Sequence, residues 1–400
     1  MDRPTPIATR RPAPFDSVRT WSLNRDKFRS RRPHRAGIAY NEGMPDATVT
    51  DADSRGLFRS FQPVAFGEEL PPYKPRPWLF DGRLQTIGVP LSKPSELSKQ
   101  FGSKRYVLPL DDGTGDSTDL YHYWPSDREP ATGDRPTFLL IHGLGGHAHS
   151  AYIARSAKNL LAAGHDVLMP NFRGAGTARD LARVLHHPGR SDDLDVILRA
   201  MEKAAPELAT RDTILVGYSL GGHLVLKFLA DFDVSPEGSH SQIQLAVTVS
   251  APLSLDGTSK RLSETLNWPF NKYLLHKIRH EVLRENAVLT EREREQLKAA
   301  RTVRDVDNNV TAPRLGFEDA EAYYAANSAI DDLGDIALPT LMIHSLDDPF
   351  VANEDYDCDA IGENDLLDVI LLPDGGHVGF FTGQSGPRWI DQALLRLAEC

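Results

Sequence analysis

The chain has 400 residues, 40% apolar and 25% charged, with a formal net charge of −11. That balance fits a globular chain large enough to bury a substantial core, and it argues against a nucleic-acid partner, whose phosphates demand a basic face. Cys358 and Cys400 are its only cysteines, too few for a disulfide framework or a thiolate metal site, which points to a reducing, cytoplasmic setting.

Residues 1–35 hold nine Arg and one Lys against three Asp, with five Pro, a net charge of +7 that leaves −18 on the remainder. Such a stretch buries too little apolar surface to offset its ordering entropy. Residues 1–55 are therefore expected to form a flexible, solvated basic segment. With no apolar run beside it, Arg10-Arg11 does not read as an export signal. Met44 is an alternative start of translation, and residues 1–50 are expected to be dispensable for activity.

Residues 56–400 read as one α/β domain. Pro75-Arg76-Pro77-Trp78 forms a lead-in loop to a short helix at Gly82–Thr86. Tyr106–Asp111 and Asp119–Trp124 read as antiparallel strands about the turn Asp112-Gly113-Thr114-Gly115. Strand Thr137–Ile141 precedes helix Tyr152–Ala163, strand Asp166–Met169 precedes helix Asp192–Lys203, and strand Thr213–Val216 precedes helix Leu220–Leu229. Strands Leu245–Val249, Thr340–His344 and Leu367–Leu372 follow, then a helix at Ile390–Ala398. Short apolar runs alternating with helices predict a mostly parallel sheet of about eight strands, covered by helices on both faces.

That rhythm breaks at about 256–336, a charged helical stretch with Phe270, Leu274, Ile278 and Val282 at i, i+4 spacing. It reads as a helical cap inserted over the carboxyl edge of the sheet, its stripe packing on the sheet domain. Lys272, Lys277 and Arg279 around the stripe would allow weak contact with an anionic membrane surface. No apolar run reaches the roughly 18 residues of a transmembrane helix.

Gly217-Tyr218-Ser219-Leu220-Gly221-Gly222 matches G-x-S-x-G between an apolar strand and a helix, the context in which a strained turn lifts a serine hydroxyl above a sheet. A serine needs a base, and the base needs an orienting carboxylate. Asp348 follows the strand Thr340–His344, and His377 follows the strand Leu367–Leu372, in Gly375-Gly376-His377. Both therefore fall on the same sheet edge as Ser219 and in the order Ser, acid, His. Asp347 is the alternative acid; the apolar Pro349-Phe350-Val351 that follows favours Asp348. Backbone amides must also meet the developing oxyanion. Leu220 supplies one, and Leu144 in the turn His142-Gly143-Leu144-Gly145-Gly146 the other, with His142 bracing that turn.

Two rival readings compete. Gly143-Leu144-Gly145-Gly146-His147-Ala148 fits a dinucleotide fingerprint, but Asn171 stands where an acid should hold the ribose. His142, His147, His149, His186 and His187 suggest a metal, yet no carboxylate lies at a ligand spacing, so hydrogen-bonded histidines are expected.

From about Pro75 onward the sequence resembles the YheT-like esterases of the α/β-hydrolase superfamily. The resemblance rests on Gly82-Arg83-Leu84-Gln85-Thr86, where Arg83 replaces the usual His, on Asn171-Phe172-Arg173-Gly174, on Gly316-Phe317, Tyr323-Tyr324 and Ser328, and on the three motifs holding Ser219, Asp348 and His377. It implies an α/β-hydrolase fold and a serine hydrolase of carboxylic esters with apolar acyl chains, working on a small-molecule ester or lipid-like substrate without metal or organic cofactor. On the same view, Asn171 and Arg173 help pack the sheet edge. Acyl transfer to an alcohol by the same triad, and a binding module that has lost its chemistry, are the alternatives. No motif specifies an oligomeric state.

Overall fold

The computed structural model describes residues 57–58, 70–91, 96–184, 186–235, 238–284, 287–383 and 386–399, all within the unit Asp53–Cys400. The expectations for the basic segment, for Met44 and for the dispensable residues lie outside the described residues.

One sheet organises the chain. Its strands are β1 (Leu57–Phe58), β2 (Gly102–Pro109), β3 (Ser117–Trp124), β4 (Thr137–Ile141), β5 (Val167–Pro170), β6 (Thr213–Tyr218), β7 (Ile243–Val249), β8 (Thr340–Ser345) and β9 (Leu367–Leu372), in the order β1-β9-β8-β7-β6-β4-β5-β3-β2. The pairs β5–β4, β4–β6, β6–β7, β7–β8 and β8–β9 are parallel. The pairs β2–β3, β3–β5 and β1–β9 are antiparallel. The sheet has one strand beyond the expected eight. β1 pairs Leu57 with Leu371 and Phe58 with Ile370, and two residues are too few to carry a readable alternation.

The helices used below are α1 (Gly82–Leu91), α2 (Ala151–Ala162), α3 (Asp192–Ala204), α4 (Leu220–Asp231), α5 (Leu255–Leu262), α6 (Trp268–Val282), α7 (Glu291–Ala299), α8 (Ala320–Asn327) and α9 (Trp389–Leu397). Local chemistry fixes several ends. α3 begins with Asp192, Asp193 and Asp195 and finishes with Lys203, charges that interact favourably with the helix dipole, stabilising the helix by roughly 0.3–1 kcal/mol each. α7 starts at a reciprocal capping box between Thr290 and Glu293.

The two-residue period of the strands sorts side chains into two cores. In β4, Leu139 and Ile141 join the core shared with α3 and α4, whereas Phe138 and Leu140 join the core shared with α2 and α9. Every residue of β4 is buried, as both-face coverage requires; each Leu, Ile or Phe so buried contributes roughly 1.5–3 kcal/mol.

Between β7 and β8 the chain makes a helical insertion containing α5 to α8, whose Leu275, Ile278, Leu297, Val306 and Tyr323 extend the α3/α4 core. The stripe Phe270, Leu274, Ile278 and Val282 packs on this core, but the most buried side of α6 is shifted to include Asn271 and Leu275. Asn271, Leu275 and Ile278 are buried, and Phe270, Leu274 and Val282 only partly so. Asn271 turns the helix, because its Nδ2 donates to Leu262 O (3.2 Å) and its Oδ1 accepts from Val303 N (3.0 Å). A polar residue buried for its hydrogen bonds cannot be seen as part of an apolar stripe.

Candidate active site

β6 ends in a sharp turn at Ser219, whose φ of 54° and ψ of −126° are rare for an L-residue and cost about 1–3 kcal/mol. Ser219 N donates to Val249 O (2.8 Å), and Gly222 N donates to Ser219 O (2.8 Å), so strand β7 and the first turn of α4 hold the strain. The flanking glycines are sterically required. A Cβ at Gly217 would lie 2.6 Å from Gly221 O, and one at Gly221 would lie 2.5 Å from His142 O.

The loops after β8 and β9 bring Asp348 and His377 to this serine. His377 Nε2 lies 2.6 Å from Ser219 Oγ, and His377 Nδ1 lies 2.9 Å from Asp348 Oδ2. The other Asp348 oxygen accepts from Phe350 N (2.8 Å) and Val351 N (3.1 Å). Burial pushes the Asp348 carboxyl up, but the adjacent His377 and its hydrogen bond outweigh that and hold it below its ordinary value. Asp347 turns elsewhere. Its Oδ1 accepts from Gly376 N (2.8 Å), and burial pushes its carboxyl up.

The glycine turn after β4 touches the serine directly, since a Cβ at Gly143 would lie 2.9 Å from Ser219 Cβ. Gly143 N donates to Tyr152 Oη (2.8 Å). Among the described residues, the amides of Leu144 and Leu220 have no hydrogen-bond partner. His142 accepts from Phe172 N through Nε2 (3.2 Å), and its Nδ1 lies 3.0 Å from Gly143 O. Burial pushes its imidazole down to about 3, so it braces the turn as a neutral ring.

The other histidines are absorbed locally. His149 Nε2 pairs with Tyr123 Oη (2.8 Å), His187 Nδ1 with Tyr323 Oη (3.2 Å), and His186 stacks on Phe172 at 4.3 Å. Asn171 and Arg173 build the sheet edge. Asn171 joins Ala148 N to Asp119, and Arg173 is buried among Asp112, Asp116 and Asp193.

The helical insertion lies across this edge. Lys277 of α6 abuts Gly145, Asn267 Nδ2 donates to Pro349 O (2.7 Å), and Phe270 meets Phe350 edge-on at 4.9 Å. Phe350 in turn lies 4.6 Å from the His377 ring. Leu144, in the glycine turn, and Phe270 are partly buried.

Several supporting residues escaped the sequence reading. Thr86 Oγ1 accepts from His377 N (2.8 Å) and donates to Gly82 O (2.6 Å), so α1 seats the histidine loop. Leu84-Gln85-Thr86 carried a family signature but no role. His344 stacks on Tyr356 at 4.3 Å with Nδ1 3.9 Å from Asp348 Oδ2, and burial pushes it down to about 4. A strand-end histidine followed by an acid was its only signal.

Residues 136–384 match the family described as alpha/beta hydrolase fold. The chain is 31% identical over 297 residues to YheT of Escherichia coli, covering 72% of this chain and 83% of that protein. It is 28% identical over 289 residues to a monoacylglycerol lipase of Saccharomyces cerevisiae, covering 70% of this chain and 62% of the relative. To the human phospholipase ABHD3 it is 26% identical over 328 residues, 78% of this chain and 74% of the other. Among solved structures, the Pyrococcus furiosus esterase Pf2001 shares the fold, with a TM-score of 0.50 at 16% identity, over 77% of this chain and 96% of that one.

Proposed function

Because the chain belongs to the α/β-hydrolase family and, within it, to the YheT-like esterases, we propose that it is a serine hydrolase of carboxylic esters, with Ser219, His377 and Asp348 as nucleophile, base and acid. The observation that carries this reading is the unbroken chain Ser219 Oγ–His377 Nε2 (2.6 Å) and His377 Nδ1–Asp348 Oδ2 (2.9 Å), ending on a serine held in a strained turn.

In the proposed cycle His377 Nε2 takes the Ser219 proton as Oγ attacks the ester carbonyl. Asp348 keeps the Nδ1–H tautomer and stabilises the imidazolium. The unpartnered amides of Leu144 and Leu220 receive the tetrahedral oxyanion. Collapse expels the alkoxide, which His377 protonates, and leaves an acyl-serine. Water then adds by the same route, giving up its proton to His377 and releasing the acid. All the groups these steps require belong to this chain, so no metal or organic cofactor is needed.

The insertion at about 256–336 acts as the cap. Phe270, Phe350 and Leu144 favour an apolar acyl chain, in keeping with relatives named as a monoacylglycerol lipase and a phospholipase. A small, lipid-like ester in a reducing, cytoplasmic setting is the proposed substrate class. Among the described residues no helix is long and apolar enough to cross a membrane. Any membrane contact through α6 would be weak. Arg279 is taken up by the carbonyls of Leu297, Lys298 and Ala300, which leaves Lys272 and Lys277 beside Trp268 and Tyr273.

The test is hydrolysis of p-nitrophenyl esters from acetate to palmitate by wild type and Ser219→Ala. Activity is expected to vanish in the variant, and a fluorophosphonate should label wild type alone. Equal activity in the variant would overturn the assignment. Ethanol added to the assay separates acid from ester as product, and faster ester formation would make the enzyme a transferase.

A further inference from the structure

Three loops form the proposed site: the serine turn, the histidine loop and the glycine turn. One buried side chain outside it reaches a residue next to each of them. Arg388, just before α9, is buried although no motif marks it. Its Nη1 donates to Val378 O (3.1 Å), the carbonyl directly after His377. Its Nη2 donates to Tyr152 O (2.9 Å), whose own hydroxyl holds Gly143 N. The same Nη2 donates to Ser156 Oγ (2.8 Å), which also accepts from the hydroxyl of Tyr218, the neighbour of Ser219 (2.7 Å).

The charge and the hydrogen bonding of this cluster are balanced. Asp391 forms an ion pair with Arg388, its Oδ1 2.8 Å from Nη2, and accepts hydrogen bonds from Ser156 Oγ (2.5 Å), Asn159 Nδ2 (3.1 Å) and Arg388 N (3.0 Å). Burial alone would pull the guanidinium down, but Asp391 outweighs it, and burial pushes the Tyr218 phenol up, so it stays a donor. A planar fork satisfies three directions at once, whereas a lysine ammonium is a point charge on a flexible stem. Val378 shows what the fork restrains. Its φ of 55° is an outlier for a β-branched residue, it follows the proposed base, and its carbonyl is one of the groups Arg388 holds.

We infer that Arg388, with Asp391 and Ser156, is the positioning element of the site, setting the histidine loop and the glycine turn against the serine turn. It touches no reacting atom. The inference rests on the proposed roles of Ser219 and His377 and deepens them.

The test compares Arg388→Lys and Ser156→Ala with wild type, using a soluble p-nitrophenyl ester, the rate constant of fluorophosphonate labelling, and thermal unfolding. Arg388→Lys is expected to lower kcat by roughly 10- to 100-fold with KM within about threefold, because small misplacements of reacting groups cost that much. The labelling rate should fall by a similar factor. Ser156→Ala removes the link from Arg388 and Asp391 to Tyr218 while leaving the bonds of Arg388 to Val378 O, Tyr152 O and Asp391 in place, and should lower kcat by roughly three- to tenfold. It decides the matter if Arg388→Lys does not fold. Folded variants with a lowered Tm but wild-type kcat and labelling rate would overturn the inference and leave a purely structural ion pair. If Ser219→Ala itself remains active, the underlying site falls instead, a different result from an inactive Ser219→Ala beside unaltered Arg388 and Ser156 variants.

Discussion

Replacing Asp348 by Asn keeps the size of the side chain and reverses the character of one atom. Asp348 Oδ1 accepts two backbone amides, Phe350 N at 2.8 Å and Val351 N at 3.1 Å. An Asn must present its oxygen there, since turning its NH2 toward two donors would leave three buried donors facing one another. The NH2 then faces His377 Nδ1, where the carboxylate now stands at 2.9 Å. That forces the tautomer with its proton on Nε2, the atom 2.6 Å from Ser219 Oγ, and a protonated Nε2 cannot act as base. The expected loss is roughly 10³- to 10⁴-fold in kcat, about 4–5.5 kcal/mol of barrier. Asp347→Asn is the matched control, because its amide oxygen can still accept Gly376 N, and its kcat should stay within about threefold of wild type. Both variants should be assayed with a p-nitrophenyl ester under saturation, with circular dichroism to establish folding. A folded Asp348→Asn with near-normal kcat beside a crippled Asp347→Asn would refute the reasoning and move the acid by one residue.

Other perturbations address the supporting structure. Gly143→Ala puts a Cβ 2.9 Å from Ser219 Cβ and 3.0 Å from Tyr218 O; neither can swing aside, so kcat/KM should fall roughly tenfold or more, and unchanged kinetics would show slack in the turn. Arg173→Gln removes the buried cation shared by Asp112, Asp116 and Asp193, leaving Asp193 with Arg190 and Asp116 with the amides of Arg183 and Val184, and should cost about 3 kcal/mol, the low end for breaking a buried ion pair; a denaturation midpoint equal to wild type would contradict that. Burial pushes Asp307, in the insertion, up to about 6, with hydrogen bonds from Tyr324 and Thr311 opposing the shift. Folded protein therefore keeps a proton there that the unfolded chain has already released, so this group's contribution to stability falls as pH rises from about 4 to 6, by on the order of 3 kcal/mol. Asp307→Asn should remove that part of the pH dependence in urea denaturation between pH 4 and 8, and parallel curves for variant and wild type would count against it.

Much of the fold is legible because it is written in local periods. Phe138–Ile141 and Ile214–Val216 are continuous apolar runs inside strands buried along their whole length, and a strand buried on both faces has to be one. The serine turn is equally local, since glycines at 217 and 221 are required by contacts within a few residues and with the neighbouring turn. The order Ser219, Asp348, His377 along successive strand ends told which side chains could share one edge of a parallel sheet.

What sequence left open was direction. Asp347 and Asp348 are adjacent in a loop without periodicity, and only the folded loop sends one toward His377 and the other toward Gly376. The short pairing of Leu57–Phe58 with β9 and the inward turn of Asn271 likewise depend on partners elsewhere in the chain. So do the groups around the candidate site. Thr86 meets His377 across 291 residues and Arg388 meets Ser156 across 232. Burial and hydrogen bonding at that separation are properties of the packed chain, so a Thr in a short helix and an Arg before another carry no sign of them until the sheet brings its edges together.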